Sequence, residues 1–304
     1  MSFDRLQERI DLLQNPTVVG LDPALEHIPP KLLKEHIERN GETLWSAALA
    51  VYEFNAGLIE ALYDVVPAVK PQIAYYEALG PEGIIALKMT CEYARMKGMY
   101  IICDGKRNDI GSTAEAYSAA YLGTTKVGDS EYSAFDADAL TVNAYLGSDG
   151  IRPFIKVAVE HDKAVFALLK TSNPSAGEFQ DRFIGQQRLY TAVGDLMEEI
   201  SRETIGKYGF TRVGAVVGAT YPEELAFLRE RLKNTFFLVP GYGAQGGAAA
   251  DAARAFLDGG RGAIVNSSRA IIAAWKKSGD DYAVAARAEA LRMRDELRSE
   301  IYKK

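Results

Sequence analysis

The chain has 304 residues, of which 48% are hydrophobic and 25% charged, and its formal net charge is −6. These proportions are typical of a globular protein with a sizeable core, and the acidic balance argues against a nucleic-acid partner, because phosphate backbones favour basic stripes. Cys91 and Cys103 are the only cysteines and the three histidines are scattered, which argues against a disulfide framework and against a zinc site.

The first thirteen residues, MSFDRLQERIDLL, mix charged and apolar side chains and lack the apolar centre of a signal peptide. No apolar run further along the chain reaches the ~20 residues that a membrane-spanning helix needs. We therefore expect a cytoplasmic protein with no membrane partner.

Short runs rich in β-branched residues recur along the chain. Most are continuously apolar over four to six residues, as expected for strands that are buried on both faces. The runs are TVVGLD (17–22), VPAVKPQ (66–72), MYIICDGK (99–106), ALTVNA (139–144), AVFALLKTS (164–172), RVGAVVGA (212–219), FFLVPG (236–241) and GAIVNSS (262–268).

Helical patterns lie between these runs. From Leu44 to Leu62 apolar residues recur at helical spacing, with Asn55 interrupting the apolar stripe. The segment 222–232 begins with proline and two acidic residues, which favour a helix start, and 282–300 is rich in alanine, arginine and glutamate.

Eight predicted strands that alternate with helices indicate the α/β class, and more specifically a single-domain (β/α)8 TIM barrel over residues 1–304 with extra N-terminal and C-terminal helices. A doubly wound sheet is the alternative, but GLDPAL follows the first strand where that fold usually carries GxGxxG. The long connections 23–65, 107–138 and 173–211 are expected to carry function or helices of their own.

Charged residues gather where the predicted strands end. The segment ICDGKRNDIGST (102–113) places Asp104 and Lys106 two residues apart on a strand, so that both side chains point to the same side. Lys70 ends the second strand, and Asp109 lies in the loop after the third. These residues could form a network of alternating charges at the barrel mouth; from spacing alone, a purely structural ion-pair cluster remains the alternative.

A second group of residues follows the last two predicted strands. PGYGAQGG (240–247) is a glycine-rich turn, and NSSRAI (266–271) contains one arginine, Arg269. The loops after strands seven and eight of a barrel commonly bind phosphate. Gln245 can donate from its amide and Arg269 offers a bidentate fork, so the pair favours a phosphate site over two ordinary tight turns.

The segment DGKRNDIGST resembles the DxKxxDxxxT signature of orotidine 5′-phosphate decarboxylases. GLDP, VKPQ, KTSNPS and PGYGAQGG are similar to other segments of that family and occur in the same order, so the resemblance spans about residues 17 to 271. The chain length and the NSSR segment resemble the longer-chain bacterial branch, type 2.

This resemblance implies a carboxy-lyase that converts orotidine 5′-phosphate to UMP and CO2 in de novo pyrimidine biosynthesis, without a metal or a cofactor. It implies that Lys106 protonates C6 of the pyrimidine and that Asp104 lies beside the substrate carboxylate. Lys70 and Asp109 would complete the charge network. The family's homodimer would supply Asp109 and the ribose-binding Thr113 from the partner subunit.

The same resemblance implies the substrate-binding residues. Asp22 would bind the ribose, Ser172 the pyrimidine, and Gln245 and Arg269 the phosphate. Ser268 stands where many relatives have glycine, so close approach of the backbone to the phosphate is less assured there. Asn143 and Tyr242 are expected to be packing or loop residues.

Two other functions fit parts of the pattern. Metal-dependent sugar-phosphate decarboxylases and aldolases of the same superfamily share the aspartate–lysine pattern, but they generally carry an acidic residue where this chain has Lys70. A non-catalytic barrel that binds phosphosugars would keep the phosphate loop and lose the charge network, which is intact here.

Overall fold

The computed structural model describes residues 1–243 and 248–303. Within these residues, eight parallel strands close into a barrel in which each strand pairs with the next and the last pairs with the first. The strands are β1 (Thr17–Leu21), β2 (Ala68–Pro71), β3 (Tyr100–Arg107), β4 (Ala139–Val142), β5 (Ala164–Lys170), β6 (Val213–Val217), β7 (Phe237–Val239) and β8 (Ala263–Ser267). The predicted barrel is confirmed, and every predicted run coincides with a barrel strand, although β3 extends one residue beyond its run, to Arg107.

The strands form where the sequence is continuously apolar because both of their faces are covered. Every residue of β1, β2, β4, β6 and β7 is buried. The N-terminal helix Ser2–Leu13 packs across the amino ends of the strands, and the Phe3 ring lies 4.9 Å from the Phe166 ring and 5.0 Å from the Phe236 ring. One end of the barrel is thus closed with aromatic side chains, which leaves the carboxyl ends for a site.

Helices surround the barrel. They are Ser2–Leu13, Pro30–Asn40, Leu44–Leu62, Ile73–Glu77, Gly80–Met96, Gly111–Leu122, Arg152–Glu160, Leu189–Ser201, Pro222–Arg231, Ala249–Ala253, Arg269–Ile272, Trp275–Ser278 and Tyr282–Ile301, with 3-10 turns at Leu25–His27, Ala144–Leu146, Ser148–Gly150, Pro174–Glu178 and Arg202–Thr204. In the part of the chain that the structure describes, none of the helices combines the length and the apolar composition of a membrane-spanning segment.

The helix that was predicted from Leu44 begins there because the Thr43 hydroxyl accepts a hydrogen bond from the Ser46 N–H at 3.2 Å. Asn55 interrupts its apolar stripe without loss of packing, since the buried amide donates to the Tyr76 hydroxyl at 2.9 Å and to the Thr90 hydroxyl at 3.2 Å. These bonds join the helix to the two helices that follow it.

The three long connections have secondary structure of their own, as expected. Besides helices they contain two small antiparallel hairpins: Thr125–Val127 pairs with Ser130–Tyr132, and Phe183–Ile184 pairs with Gln187–Arg188. The second hairpin belongs to the connection after β5, which also contributes residues to the site.

Candidate active site

A cavity of about 450 Å³ opens at the carboxyl ends of the barrel strands, which is within the usual range for small-molecule sites. The residues that line it are Asp22, Lys70, Gln72, Asp104, Lys106, Thr141, Leu168, Thr171, Ser172, Asn173, Gln180, Val216, Leu238, Pro240, Gly241, Tyr242, Asn266, Ser267, Ser268 and Arg269. The structure therefore gathers most of the sequence-predicted site residues around one cavity.

The Asp104 carboxylate lies at the centre of one side of this cavity. The Lys70 ammonium donates to its Oδ2 at 2.8 Å and the Lys106 ammonium to its Oδ1 at 2.7 Å. The Gln72 amide donates to Oδ2 at 3.0 Å, and the Thr141 hydroxyl donates to Oδ1 at 2.8 Å. Each carboxylate oxygen thus accepts two hydrogen bonds, and together these four bonds hold the carboxylate in one orientation.

These contacts fix the charge states of the cluster. Burial raises the pKa of the Asp104 carboxyl, but the attraction of Lys70 and Lys106 outweighs burial and leaves the pKa well below its usual value. Burial lowers the pKa of Lys70, while Asp104 and Asp22 raise it, and the net result is a pKa above the usual lysine value. Asp104 and Lys70 are therefore an anion and a cation at neutral pH.

The two lysines differ in their access to the cavity. The Lys70 side chain is 5% exposed, whereas the Lys106 side chain is 47% exposed. Lys70 is confined against Asp104, and its Nζ lies 3.9 Å from Asp22 Oδ1. Both lysines line the cavity, but Lys106 is far more exposed, so it is the lysine that is more accessible to a ligand in the cavity.

The backbone of β3 bends at Lys106. This residue has φ of 47°, in the left-handed region, and the pairing of β3 with β4 shifts between Cys103 and Arg107. The Lys106 N–H donates to the Thr141 hydroxyl at 2.9 Å, which supports the bend. The predicted contact between the Asp104 and Lys106 side chains is confirmed. It arises in a strand that bends at Lys106, and not from the alternation of a straight strand alone.

Ser172 is held at the end of β5 by its neighbours. An ideal Cβ on Gly218 would lie 3.0 Å from Ser172 Cβ, so the glycine leaves room for the serine.

Thr171, one residue earlier, donates its N–H to Gln180 Oε1 at 2.9 Å, and its hydroxyl accepts from Gln180 Nε2 at 2.8 Å. The fully buried Lys170 donates to Asp181 at 2.5 Å. The connection after β5 is thus anchored next to the cavity.

The ends of β7 and β8 form the opposite side of the cavity. Gly241, Ser268 and the exposed Arg269 line it, and their assignment to a phosphate site stays a prediction. The Asn266 amide donates to the Ser268 hydroxyl at 3.3 Å. Gln245 lies outside the described residues.

Asp109 and Thr113 are not among the described residues that line the cavity. The Asp109 carboxylate accepts a hydrogen bond from the Ile110 N–H at 2.8 Å, and Thr113 is exposed in the first turn of helix Gly111–Leu122. The chain by itself does not bring these two residues to Asp104. Their assignment to a partner's site stays a prediction.

Sequence reasoning missed several cavity residues. Gln72 and Thr141 both lie at strand ends, where a systematic search of every end would have found them. Gln180 lies in an irregular loop and had no such signal. Asn143 and Tyr242 are the two residues that were expected to be packing or loop residues. Tyr242 lines the cavity and donates to Glu296 at 2.5 Å, while Asn143 accepts the Tyr145 N–H at 3.0 Å.

A closed (β/α)8 barrel whose cavity is lined by a buried aspartate between two lysines, and by an arginine just beyond the end of β8, defines an enzyme of the barrel class. The family model described as orotidine 5′-phosphate decarboxylase / HUMPS family matches residues 42–283. The chain belongs to this family.

Relatives match nearly the whole chain. An orotidine 5′-phosphate decarboxylase of Rhodopirellula baltica is 44% identical over 270 residues, which cover 89% of this chain and 87% of the relative. One of Clostridium perfringens is 40% identical over 307 residues and covers 100% of both chains. The solved structure of Leishmania donovani OMP decarboxylase has a TM-score of 0.76 at 30% identity, and the match covers 100% of this chain and 99% of that one.

Proposed function

We propose that this protein is a carboxy-lyase that converts orotidine 5′-phosphate to UMP and CO2 in pyrimidine biosynthesis. The observation that carries the proposal is the Asp104 carboxylate held between Lys70 and Lys106 at the mouth of the barrel. Family membership and the relatives that carry this activity in their names support it.

The chemical difficulty of the reaction lies at C6 of the pyrimidine. Loss of CO2 breaks the bond from C6 to the carboxyl carbon and leaves the electron pair on C6, in an orbital that the ring π system cannot readily delocalise. A cation fixed beside C6 would stabilise this charge as it develops. The Lys106 ammonium fits that task, because it is paired with Asp104 and still reaches into the cavity.

Lys106 would then donate its proton from Nζ to C6, which completes UMP, and would regain a proton from solvent. Lys70 has a different part. Its burial and its 2.8 Å bond to Asp104 keep it in place, so it would hold the carboxylate that orients Lys106. Asp22 and Ser172 would bind the ribose and the pyrimidine, and Arg269, Ser268 and Gln245 the phosphate.

The family description names HUMPS beside orotidine 5′-phosphate decarboxylase. The metal-dependent sugar-phosphate enzymes considered from the sequence must therefore be weighed against the cofactor-free reaction. The ammonium of Lys70 donates to Asp104 Oδ2, and that of Lys106 donates to Oδ1. A divalent cation at this carboxylate would have to displace or repel these two cations. This arrangement favours decarboxylation without a metal.

Assembly and location are part of the same proposal. We propose a cytoplasmic homodimer in which Asp109 and Thr113 enter the partner's site, since both lie beyond the end of β3 and outside the cavity lining described for their own barrel. We also propose that residues 1–304 form one domain. The contact of the C-terminal helix with helix Leu44–Leu62, where the Tyr282 and Phe54 rings lie 5.1 Å apart, supports this.

The test is incubation of the purified protein with orotidine 5′-phosphate, following the loss of its ultraviolet absorbance, with and without a strong chelator. We expect equal rates in both conditions. Activity that disappears with EDTA and returns with magnesium would assign the protein to the metal-dependent branch, and an inactive wild-type protein that still binds UMP would favour a non-catalytic barrel.

A further inference from the structure

Ser268 has room for its side chain because residue 20 has none. An ideal Cβ on Gly20 would lie 1.9 Å from Ser268 Oγ and 2.8 Å from Ser268 Cβ. The two residues come from neighbouring parallel strands, since Val19 of β1 pairs with Ser267 of β8. The φ angle of Gly20 lies outside the left-handed region, so alanine could adopt its backbone conformation. The need for glycine at position 20 is therefore spatial.

Rotation of the serine hydroxyl would not relieve this crowding. The Cβ of Ser268 is fixed by the backbone, and a separation of 2.8 Å between two Cβ atoms is far below van der Waals contact. Asn266 closes the other side: its Oδ1 would lie 3.1 Å from the added Cβ, and its Nδ2 donates to Ser268 Oγ at 3.3 Å. A side chain at position 20 would force the backbone at Ser268 to move.

We propose that Gly20 is a positioning residue for the phosphate site and that Gly20 and Ser268 form a complementary pair. Ser268 directly precedes Arg269, and both line the cavity. A shift of the backbone at Ser268 would carry the guanidinium of Arg269 with it. The inference rests on the proposed function in one respect, namely that Arg269 binds the phosphate of the ligand.

The experiment compares Gly20→Ala, Ser268→Gly and the double variant by their affinities for UMP and for uridine, which lacks the phosphate. We expect Gly20→Ala to weaken UMP binding about tenfold or more. A tenfold loss corresponds to the lower part of the range of free-energy costs for overpacking a close-packed site. Uridine binding should change much less. Ser268→Gly should have a smaller effect than Gly20→Ala, and the double variant should recover most of the UMP affinity that Gly20→Ala loses.

Ser268→Ala provides the sharper comparison, because it keeps the Cβ and removes the hydroxyl. Combined with Gly20→Ala it should not restore UMP affinity, whereas Ser268→Gly should. Gly194→Ala is the matched control: its added Cβ would lie 2.9 Å from Leu232 Cδ1, the end of a flexible side chain away from the cavity, so UMP affinity should be kept.

If Gly20→Ala does not fold, the test is the thermal unfolding of the two double variants, in which Gly20→Ala is combined with Ser268→Gly or with Ser268→Ala. Folding that is restored by Ser268→Gly and not by Ser268→Ala supports the proposed pair. Equal UMP affinity of Gly20→Ala and wild type, or equal rescue by alanine and glycine at position 268, would overturn the proposal. Failure of the phosphate assignment, the one part of the proposed function on which this inference rests, looks different: wild type would bind UMP no more tightly than uridine. The pair would then be judged by the same unfolding series.

Discussion

The two sides of the cavity are built in different ways. Around Asp104 the charged groups are paired, and the carboxylate and Lys70 are buried. At the ends of β7 and β8, Arg269 is exposed and borders a glycine-containing turn. The first side is organised before a ligand arrives, which is what electrostatic catalysis requires. The second is open, as suits a surface that is proposed to bind a phosphate.

This difference predicts different consequences of mutation. A buried charge that loses its partner destabilises the protein strongly, commonly by about 3–5 kcal/mol. An exposed arginine that loses its side chain costs ligand affinity and leaves the fold intact. Substitutions near Asp104 should therefore affect turnover and stability, and substitutions near Arg269 should affect binding.

The largest expected effect is that of Lys106→Ala on turnover. If this lysine both stabilises the charge at C6 and supplies the proton, kcat should fall by many powers of ten, each worth about 1.4 kcal/mol of barrier. Binding of UMP should fall far less, because the phosphate contacts remain. Steady-state rates and UMP titration measure the two effects.

Lys34→Ala is the control for that experiment, since Lys34 lies on an outer helix with a 75% exposed side chain. It should have wild-type turnover. A Lys106→Ala protein that keeps a tenth of wild-type kcat would show that the ion pair is structural.

The second prediction concerns Asp109, which the described cavity does not include. Lys106→Ala and Asp109→Ala proteins should each be nearly inactive alone. In a mixed dimer, the barrel of the Asp109 variant keeps its own Lys106 and receives Asp109 from its partner, so one of the two sites is intact. Random reassociation makes about half of the dimers mixed, and about a quarter of all sites should be wild type in composition.

The measurement is decarboxylase activity after the two variants are unfolded and refolded together, against each refolded separately. About a quarter of wild-type activity is expected from the mixture. If the mixture stays inactive while mass spectrometry shows that subunits have exchanged, Asp109 does not serve the partner's site.

The third prediction tests the open side of the cavity. Arg269→Ala should weaken UMP binding about 100-fold, or ~2.7 kcal/mol, as expected for the loss of a charge-assisted bidentate contact. Arg269→Lys keeps the charge and loses the fork, so its affinity should lie between the two. Calorimetric titration with UMP and with uridine measures this. Equal losses for both ligands would mean that Arg269 maintains the fold and does not bind phosphate.

The fold was accessible from sequence because strands buried on both faces leave continuous apolar runs, and such runs mark most of the barrel strands in the described chain. The charge cluster was accessible because Lys70, Asp104 and Lys106 lie at strand ends, where barrel sites form. The bend at Lys106 could not be predicted from the sequence. A lysine with a left-handed backbone conformation leaves no signal in a run of residues that otherwise alternates as a strand.

The remaining gaps have other physical causes. Gln180 reaches the cavity through hydrogen bonds within a loop, and neither periodicity nor spacing encodes such contacts. The space that Gly20 leaves for Ser268 depends on two segments almost 250 residues apart in sequence, so it appears only when β1 and β8 are neighbours. Asp109 and Thr113 depend on a second chain, which one sequence does not supply.

The smallest expected effect is the pH dependence of the stability that Asp104 and Lys70 contribute. This contribution should change little around neutral pH. The folded-state pKa of Asp104 lies below its unfolded value of about 3.9, so its stabilisation is complete above that value and is lost as the pH falls through the folded pKa. The pKa of Lys70 is raised, so its stabilisation is complete below about 10.4 and is lost only as the pH rises through the folded pKa.

The difference in unfolding free energy between wild type and Asp104→Asn should therefore stay constant from about pH 5 to 8 and shrink below about pH 4. Urea unfolding at each pH measures it, and Asp129→Asn, at an exposed carboxylate, is the control. A difference that already shrinks between pH 7 and 5 would mean that Asp104 takes up its proton in that range. Lys70 and Lys106 would then fail to hold the carboxylate ionised, and the two sides of the cavity would not differ in the way their geometry indicates.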